Sequence, residues 1–163
     1  MNISGVVYDS VVDGEGLRNT LFISGCRHGC KNCHNPQTWD FNYGYEFTKD
    51  LQNEFIKKCK DNPILDGITI SGGDPIYSSK ELISFLQKYK EVNPSHTIWL
   101  YTGFKYEDIK NNEILKLINT LVDGEYKEEL RDITLAFRGS SNQRVIDVQK
   151  SLNENKIILS NIS

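Results

Sequence analysis

Cys26, Cys30 and Cys33 fall within the eight-residue run CRHGCKNC, a C-x3-C-x2-C spacing that gathers three thiols into one loop. Thiolates are soft ligands, suited to iron–sulfur clusters and to zinc. Three of them leave one iron of a [4Fe–4S] cubane without a protein ligand, and an open metal position is what a catalytic centre keeps and a structural one closes. Structural zinc is the competing assignment, with the same cysteines joined by His28 or His34 as a Cys3His set. Zinc sites more often pair two C-x2-C halves from separate parts of the chain, and here the remaining cysteine, Cys59, stands alone. Iron–sulfur is favoured on that ground.

The cysteine loop directly follows residues 19–24 (NTLFIS), which read as a short buried strand. Thr48 is placed to cap a helix over residues 49–60, whose Leu51, Phe55, Ile56 and Cys59 share one face at helical spacing. That face makes Cys59 a small core residue rather than a ligand. A second strand, 67–71, runs into Gly72-Gly73-Asp74-Pro75. Ser78 and Glu81 then have the spacing of a capping box, opening a helix with Leu82, Ile83, Phe85, Leu86 and Tyr89 on its inner side. Strand 97–101 ends at Thr102-Gly103, a helix covers 113–119, and residues 120–124 form a fourth strand. This alternation predicts an α/β fold with a parallel sheet covered by helices. Each unusual loop lies at a strand's C-terminal end, where such folds place their sites. A closed eight-fold barrel does not fit into 163 residues, whereas a partial, splayed parallel β/α barrel does.

Bulk properties narrow the classes further. The length suits one domain over residues 1–163, and the content of 38% hydrophobic and 25% charged residues is that of a soluble globular protein. A net charge of −3 offers no basic footprint for nucleic acid. No apolar stretch approaches membrane-spanning length, and the first residues, MNISG, do not read as a secretory signal. Clustered thiols without an export signal predict a cytoplasmic location, where cysteines stay reduced and available to metals.

Gly72 and Gly73 let backbone approach a ligand closely, and Pro75 holds Asp74 extended. Alone, Gly-Gly-Asp-Pro reads as an ordinary strand-to-helix turn. Beside C-x3-C-x2-C, it resembles the Gly-Gly-Glu-Pro element of the radical S-adenosylmethionine (SAM) superfamily, with Asp74 where Glu is usual. Val12-Asp13-Gly14-Glu15-Gly16-Leu17-Arg18 resembles the Asp-Gly-x-Gly-x-Arg opening of glycyl-radical activating enzymes, and Cys33-His34-Asn35-Pro36 their Cys-x-Asn-Pro continuation. Phe137-Arg138-Gly139-Ser140-Ser141-Asn142-Gln143-Arg144 is a polar tract that, by itself, reads as a solvated loop. It resembles a segment of the activating components of anaerobic ribonucleoside-triphosphate reductase, and the likeness covers nearly the whole chain.

The resemblance implies a splayed barrel of the radical SAM type, with a [4Fe–4S] cluster on Cys26, Cys30 and Cys33. It implies SAM held near Asn32, Cys33, His34, Gly72, Gly73 and Asp74, its amino group meeting the Gly-Gly-Asp segment. His28 and His34 flank the cluster as loop histidines and are expected to be bystanders rather than ligands. Because the cysteine loop and the Gly-Gly loop are separate in sequence, a bulky residue at 73 is expected to exclude SAM and spare the cluster. The implied chemistry is reductive cleavage of SAM to methionine and a 5′-deoxyadenosyl radical, which takes hydrogen from a partner glycine. The implied partners are the large subunit of the anaerobic reductase and a low-potential electron donor such as a flavodoxin. No catalytic side-chain acid, base or nucleophile is required.

Overall fold

The structure, a computed structural model, describes residues 1–31, 33 and 36–162. Its strands are β1 (Asn2–Ser10), β2 (Arg18–Ile23), β3 (Tyr45–Glu46), β4 (Gly67–Gly72), β5 (Thr97–Tyr101), β6 (Thr120–Asp123) and β7 (Arg144–Asp147). Its α-helices are α1 (Lys49–Asp61), α2 (Ser79–Val92), and the short α3 (Tyr106–Ile109) and α4 (Val148–Glu154). All seven strands join one sheet in the order β3-β1-β2-β4-β5-β6-β7.

The middle of the sheet is parallel, β2 on β4, β4 on β5 and β5 on β6, as the alternation of strands and helices predicts. Its edges are not. β1 runs antiparallel to β2 and to β3, and β7 antiparallel to β6, so the fold is a mixed α/β sheet rather than an all-parallel one. β1 escapes a periodicity reading because Gly5 interrupts it and its residues Val7, Tyr8 and Asp9 are consecutively exposed. β7 is four residues long and follows directly on the polar 137–143 tract.

Side-chain alternation decides what each face meets. Ile68, Ile70, Ile98, Leu100 and Leu121 point to one face, where they join Phe55, Leu82, Phe85 and Leu86 of α1 and α2 in the main core. Burying each such side chain contributes about 1.5–3 kcal/mol. The intervening residues Trp99 and Val122 look the other way and, with Val145 and Phe137, make a smaller cluster. Helices thus cover one face and leave the other to loops.

Thr48 caps α1 as its sequence predicts, its hydroxyl accepting from the Leu51 amide at 3.2 Å. Cys59 is fully buried on the inner face, where the Asn19 side-chain amide donates to its sulfur. The capping box at Ser78 and Glu81 does not form. Pro75–Ser78 is a 3-10 turn leading straight into α2, so Ser78 lies within a continuous helical path, and the cap is Asp74, whose carboxylate accepts from the Ile76 amide. Residues 113–119 contain only a 3-10 turn, Glu113–Leu117, capped by Asn112.

At the N-terminal ends of the central strands lies Arg18, only 1% exposed. Its guanidinium donates to the Thr69 and Thr97 hydroxyls and to the carbonyls of Glu15, Ile68 and Thr97 at 2.6–3.0 Å. Burial pushes its pKa down to about 10, which leaves it charged at neutral pH. Gly67 makes room for it: a Cβ there would sit 2.8 Å from the guanidinium.

Candidate metal and cofactor site

β2 delivers the cysteine loop to the C-terminal edge of the sheet. The loop is seated by backbone bonds, the Gly25 amide donating to Thr38 at 2.6 Å and the Cys26 amide to Trp39 at 3.1 Å. Cys26, Cys30 and Cys33 are unbridged, half-buried thiols. All three line one cavity of about 200 Å³, which Gly72 and Gly73 at the end of β4 also line. Thr102, Gly124, Tyr126 and Gln143 complete it from the ends of β5, β6 and the strand-7 approach.

Burial pushes the Cys26 thiol up to about 11, and Asp74 and the other two cysteines add to the rise. The Cys30 thiol is also raised, first by burial and then by Glu125. Thiolates crowded together in this way need cationic partners, and a cluster's irons supply them. Three soft thiol donors gathered on one cavity fit a cluster, which takes each thiolate on a separate iron.

The Gly-Gly loop and the cysteine loop are separate in sequence but not in space. The Gly73 amide donates to Ile23, and the Asp74 amide to Gly25, both at 2.8 Å. Gly72 takes φ +111°, and a Cβ on Gly73 would lie 2.7 Å from the carbonyl oxygens of Gly25 and Thr38. No side chain fits at 73 without moving the backbone that seats Cys26. The expectation that bulk at 73 would spare the cluster is corrected by this contact.

Asp74 is 1% exposed, and its carboxylate is engaged by the protein itself. It accepts from the Ile76 amide at 3.0 Å, the Gly103 amide at 2.8 Å and the Thr102 hydroxyl at 2.9 Å. The remaining partner is His28, whose Nε2 lies 2.6 Å from Oδ2. His28 is no exposed loop histidine. Its side chain is 8% exposed, its Nδ1 lies 3.0 Å from Glu125, and its ring meets Phe104 edge-on at 4.7 Å. The hydrogen bond to Asp74 raises the imidazole pKa above its ordinary value against the opposing effect of burial. Asn32 and His34, the other residues expected near SAM, lie outside the described residues.

The 137–144 tract is an organised brace rather than a solvated loop. Gln143 accepts from the Gly139 and Ser140 amides through its side-chain oxygen and donates to the Gly124 carbonyl. Asn142 donates to Glu125, and fully buried Ser140 accepts from the Lys127 amide. Arg144 pairs with Asp123 at 2.5 Å and Glu107 at 2.6 Å, so its charge is spent within the fold. The tract thereby fixes the segment after β6 that walls the thiol cavity. Sequence reasoning flagged His28 beside the thiols, Thr102 as a strand ending and Gln143 within the tract, but placed none of them on the cavity wall, and it missed Tyr126 altogether.

Comparison with known proteins supplies kinship. A family model described as a 4Fe-4S single cluster domain matches residues 12–146. The anaerobic ribonucleoside-triphosphate reductase-activating protein of Escherichia coli K12 is 39% identical over 140 residues, covering 83% of this chain and 91% of the relative. Its namesake in Haemophilus influenzae is 39% identical over 82% of this chain and 89% of its own length. That of enterobacteria phage T4 is 39% identical over 89% and 93% respectively.

Proposed function

Because the chain belongs to the family of anaerobic ribonucleoside-triphosphate reductase-activating proteins, built on a 4Fe-4S single cluster domain, we propose that it installs a glycyl radical on an anaerobic ribonucleoside-triphosphate reductase. Its fold in this reading is a partial, splayed radical SAM barrel forming one domain over residues 1–163, and its setting is the cytoplasm. No helix among the described residues is long and apolar enough to cross a membrane.

The observation that carries the reading is the shared cavity, lined by three unbridged thiols and by Gly72 and Gly73. Cys26, Cys30 and Cys33 would hold the cluster and leave one iron for SAM. When bound, the cluster and SAM supply one-electron cleavage of SAM and removal of a hydrogen atom from glycine. The chain's own residues bind and orient. Since the Asp74 carboxylate already has protein donors, the backbone carbonyls of the Gly-Gly segment would be the groups to receive the SAM ammonium. Gln143 and Tyr126 line the cavity from the β6 side and would border the bound groups there. The partner is the reductase large subunit, and a low-potential donor such as a flavodoxin delivers the electron.

Reconstituted protein, reduced in the presence of SAM, is expected to yield methionine and 5′-deoxyadenosine in equal amounts. Incubation with the cognate reductase and, separately, with pyruvate formate-lyase distinguishes partners. Activation of the lyase alone would reassign the substrate, and an intact cluster that leaves SAM uncleaved would refute the chemistry.

A further inference from the structure

We propose that His28 is a positioning residue: through Asp74 it docks the cysteine loop onto the Gly-Gly-Asp-Pro loop and so fixes how the two halves of the cofactor site face each other. The proposal rests on the cluster-and-SAM reading above.

His28 lies inside the C-x3-C-x2-C run, between the first and second ligand positions, yet its imidazole reaches partners far along the chain. Its ring nitrogens reach Asp74 at the end of β4 and Glu125 beyond β6, at 2.6 and 3.0 Å. Asp74 in turn is fixed by the Thr102 hydroxyl and the Gly103 amide at the end of β5. One imidazole therefore ties the loop after β2 to the loops after β4, β5 and β6. The ring's faces and edges are held as well, by Phe104 at 4.7 Å and Tyr77 at 5.6 Å. Gly103 leaves the necessary room, since a Cβ there would fall 2.8 Å from the imidazole carbon and Nε2. The ring also stands between two cavities, the thiol cavity and a neighbouring one of about 490 Å³, and lines both.

This arrangement gives the shorter acidic side chain a role. An Asp at position 74 withdraws its carboxylate into the protein, and the imidazole occupies the carboxylate's remaining edge. The loop carrying the thiols is thereby clamped to the segment whose backbone faces them.

The test compares His28→Phe, which fills the aromatic slot without ring nitrogens, with His28→Gln, whose side-chain amide still donates towards Asp74. Three quantities are read on the protein alone: thermal midpoint, iron and sulfide content after anaerobic reconstitution, and the change that SAM causes in the electron paramagnetic resonance spectrum of the reduced cluster. His28→Phe is expected to bind its iron but to need about tenfold more SAM for the spectral change, the scale of one lost charge-assisted hydrogen bond. His28→Gln should recover part of that loss. If His28→Phe fails to fold, His28→Leu, which also lacks ring nitrogens, carries the test through the same SAM titration. Wild-type SAM response in the folded Phe or Leu variant would overturn the proposal, as would loss of iron from both, which would make His28 part of cluster retention instead. No SAM response in the wild-type protein would refute the cofactor reading itself, so the two failures are distinguishable.

Discussion

The two ends of the central strands each bury a charged side chain, and they do so for different ends. At the N-terminal edge, Arg18 is satisfied by hydroxyls and backbone carbonyls alone. At the C-terminal edge, Asp74 is satisfied by amides, a hydroxyl and an imidazole. Both charges knit neighbouring strands together. The C-terminal edge, however, adds three clustered thiols and the Gly72–Gly73 backbone around a shared cavity. Buried charge therefore does not by itself mark function in this sheet. What separates the working edge from the stabilising edge is the gathering of three unbridged, half-buried thiols on one cavity.

The largest expected effect lies at the C-terminal edge. Replacing Cys26, Cys30 or Cys33 with Ala should abolish cluster assembly, read as iron and sulfide per chain, while the fold persists by circular dichroism. Cys59→Ala, made in the core, should keep the cluster. A triplet variant that assembles normally would dissolve the distinction between the edges.

Gly73→Val comes next. Because its Cβ would run into the Gly25 and Thr38 carbonyls, it should lower both iron content and SAM affinity rather than SAM affinity alone. Normal iron with weakened SAM binding would show that the two loops move independently.

Arg18→Met tests the opposite edge. Leaving the Thr69 hydroxyl and the Ile68 and Thr97 carbonyls without a donor should cost roughly 3 kcal/mol, read as a lower urea midpoint. The protein that remains folded should still take up its cluster. Unchanged stability with loss of iron would reverse the assignment of the two edges.

The smallest effect concerns His96, just before β5, whose Nδ1 lies 2.7 Å from the Tyr89 hydroxyl oxygen. Burial, then the nearby Arg18 charge, hold its pKa below the ordinary 6.5. The unfolded chain thus takes up the proton first as pH falls. The neutral imidazole's contribution is present above about pH 6.5 and is lost as pH falls through the lowered folded value. His96→Gln should flatten that part of the stability–pH curve, and an unchanged slope would contradict it.

How much of this was legible follows from where partners lie along the chain. Cys59 and the inner face of α1 could be read because helical spacing is local, and the parallel strands because β and α patterns alternate. β1 was hidden by Gly5 and its exposed run, and β7 by its brevity. The Ser78 capping box failed because Pro75 begins the helical path earlier. The cysteine triplet and the Gly-Gly segment were visible as residue types. Their shared cavity was not, because only pairing of β2 with β4 brings them together. His28 looked like a bystander because its partners, Asp74 and Glu125, are 46 and 97 residues away.

Electron paramagnetic resonance on the full mixture tests the central claim most directly. With protein, reductant, SAM and the cognate reductase present, a hydrogen-coupled glycyl signal should appear, and it should vanish when any one component is omitted or when Cys26 is replaced by Ala. An intact, SAM-responsive cluster that yields no radical on that reductase would contradict the account.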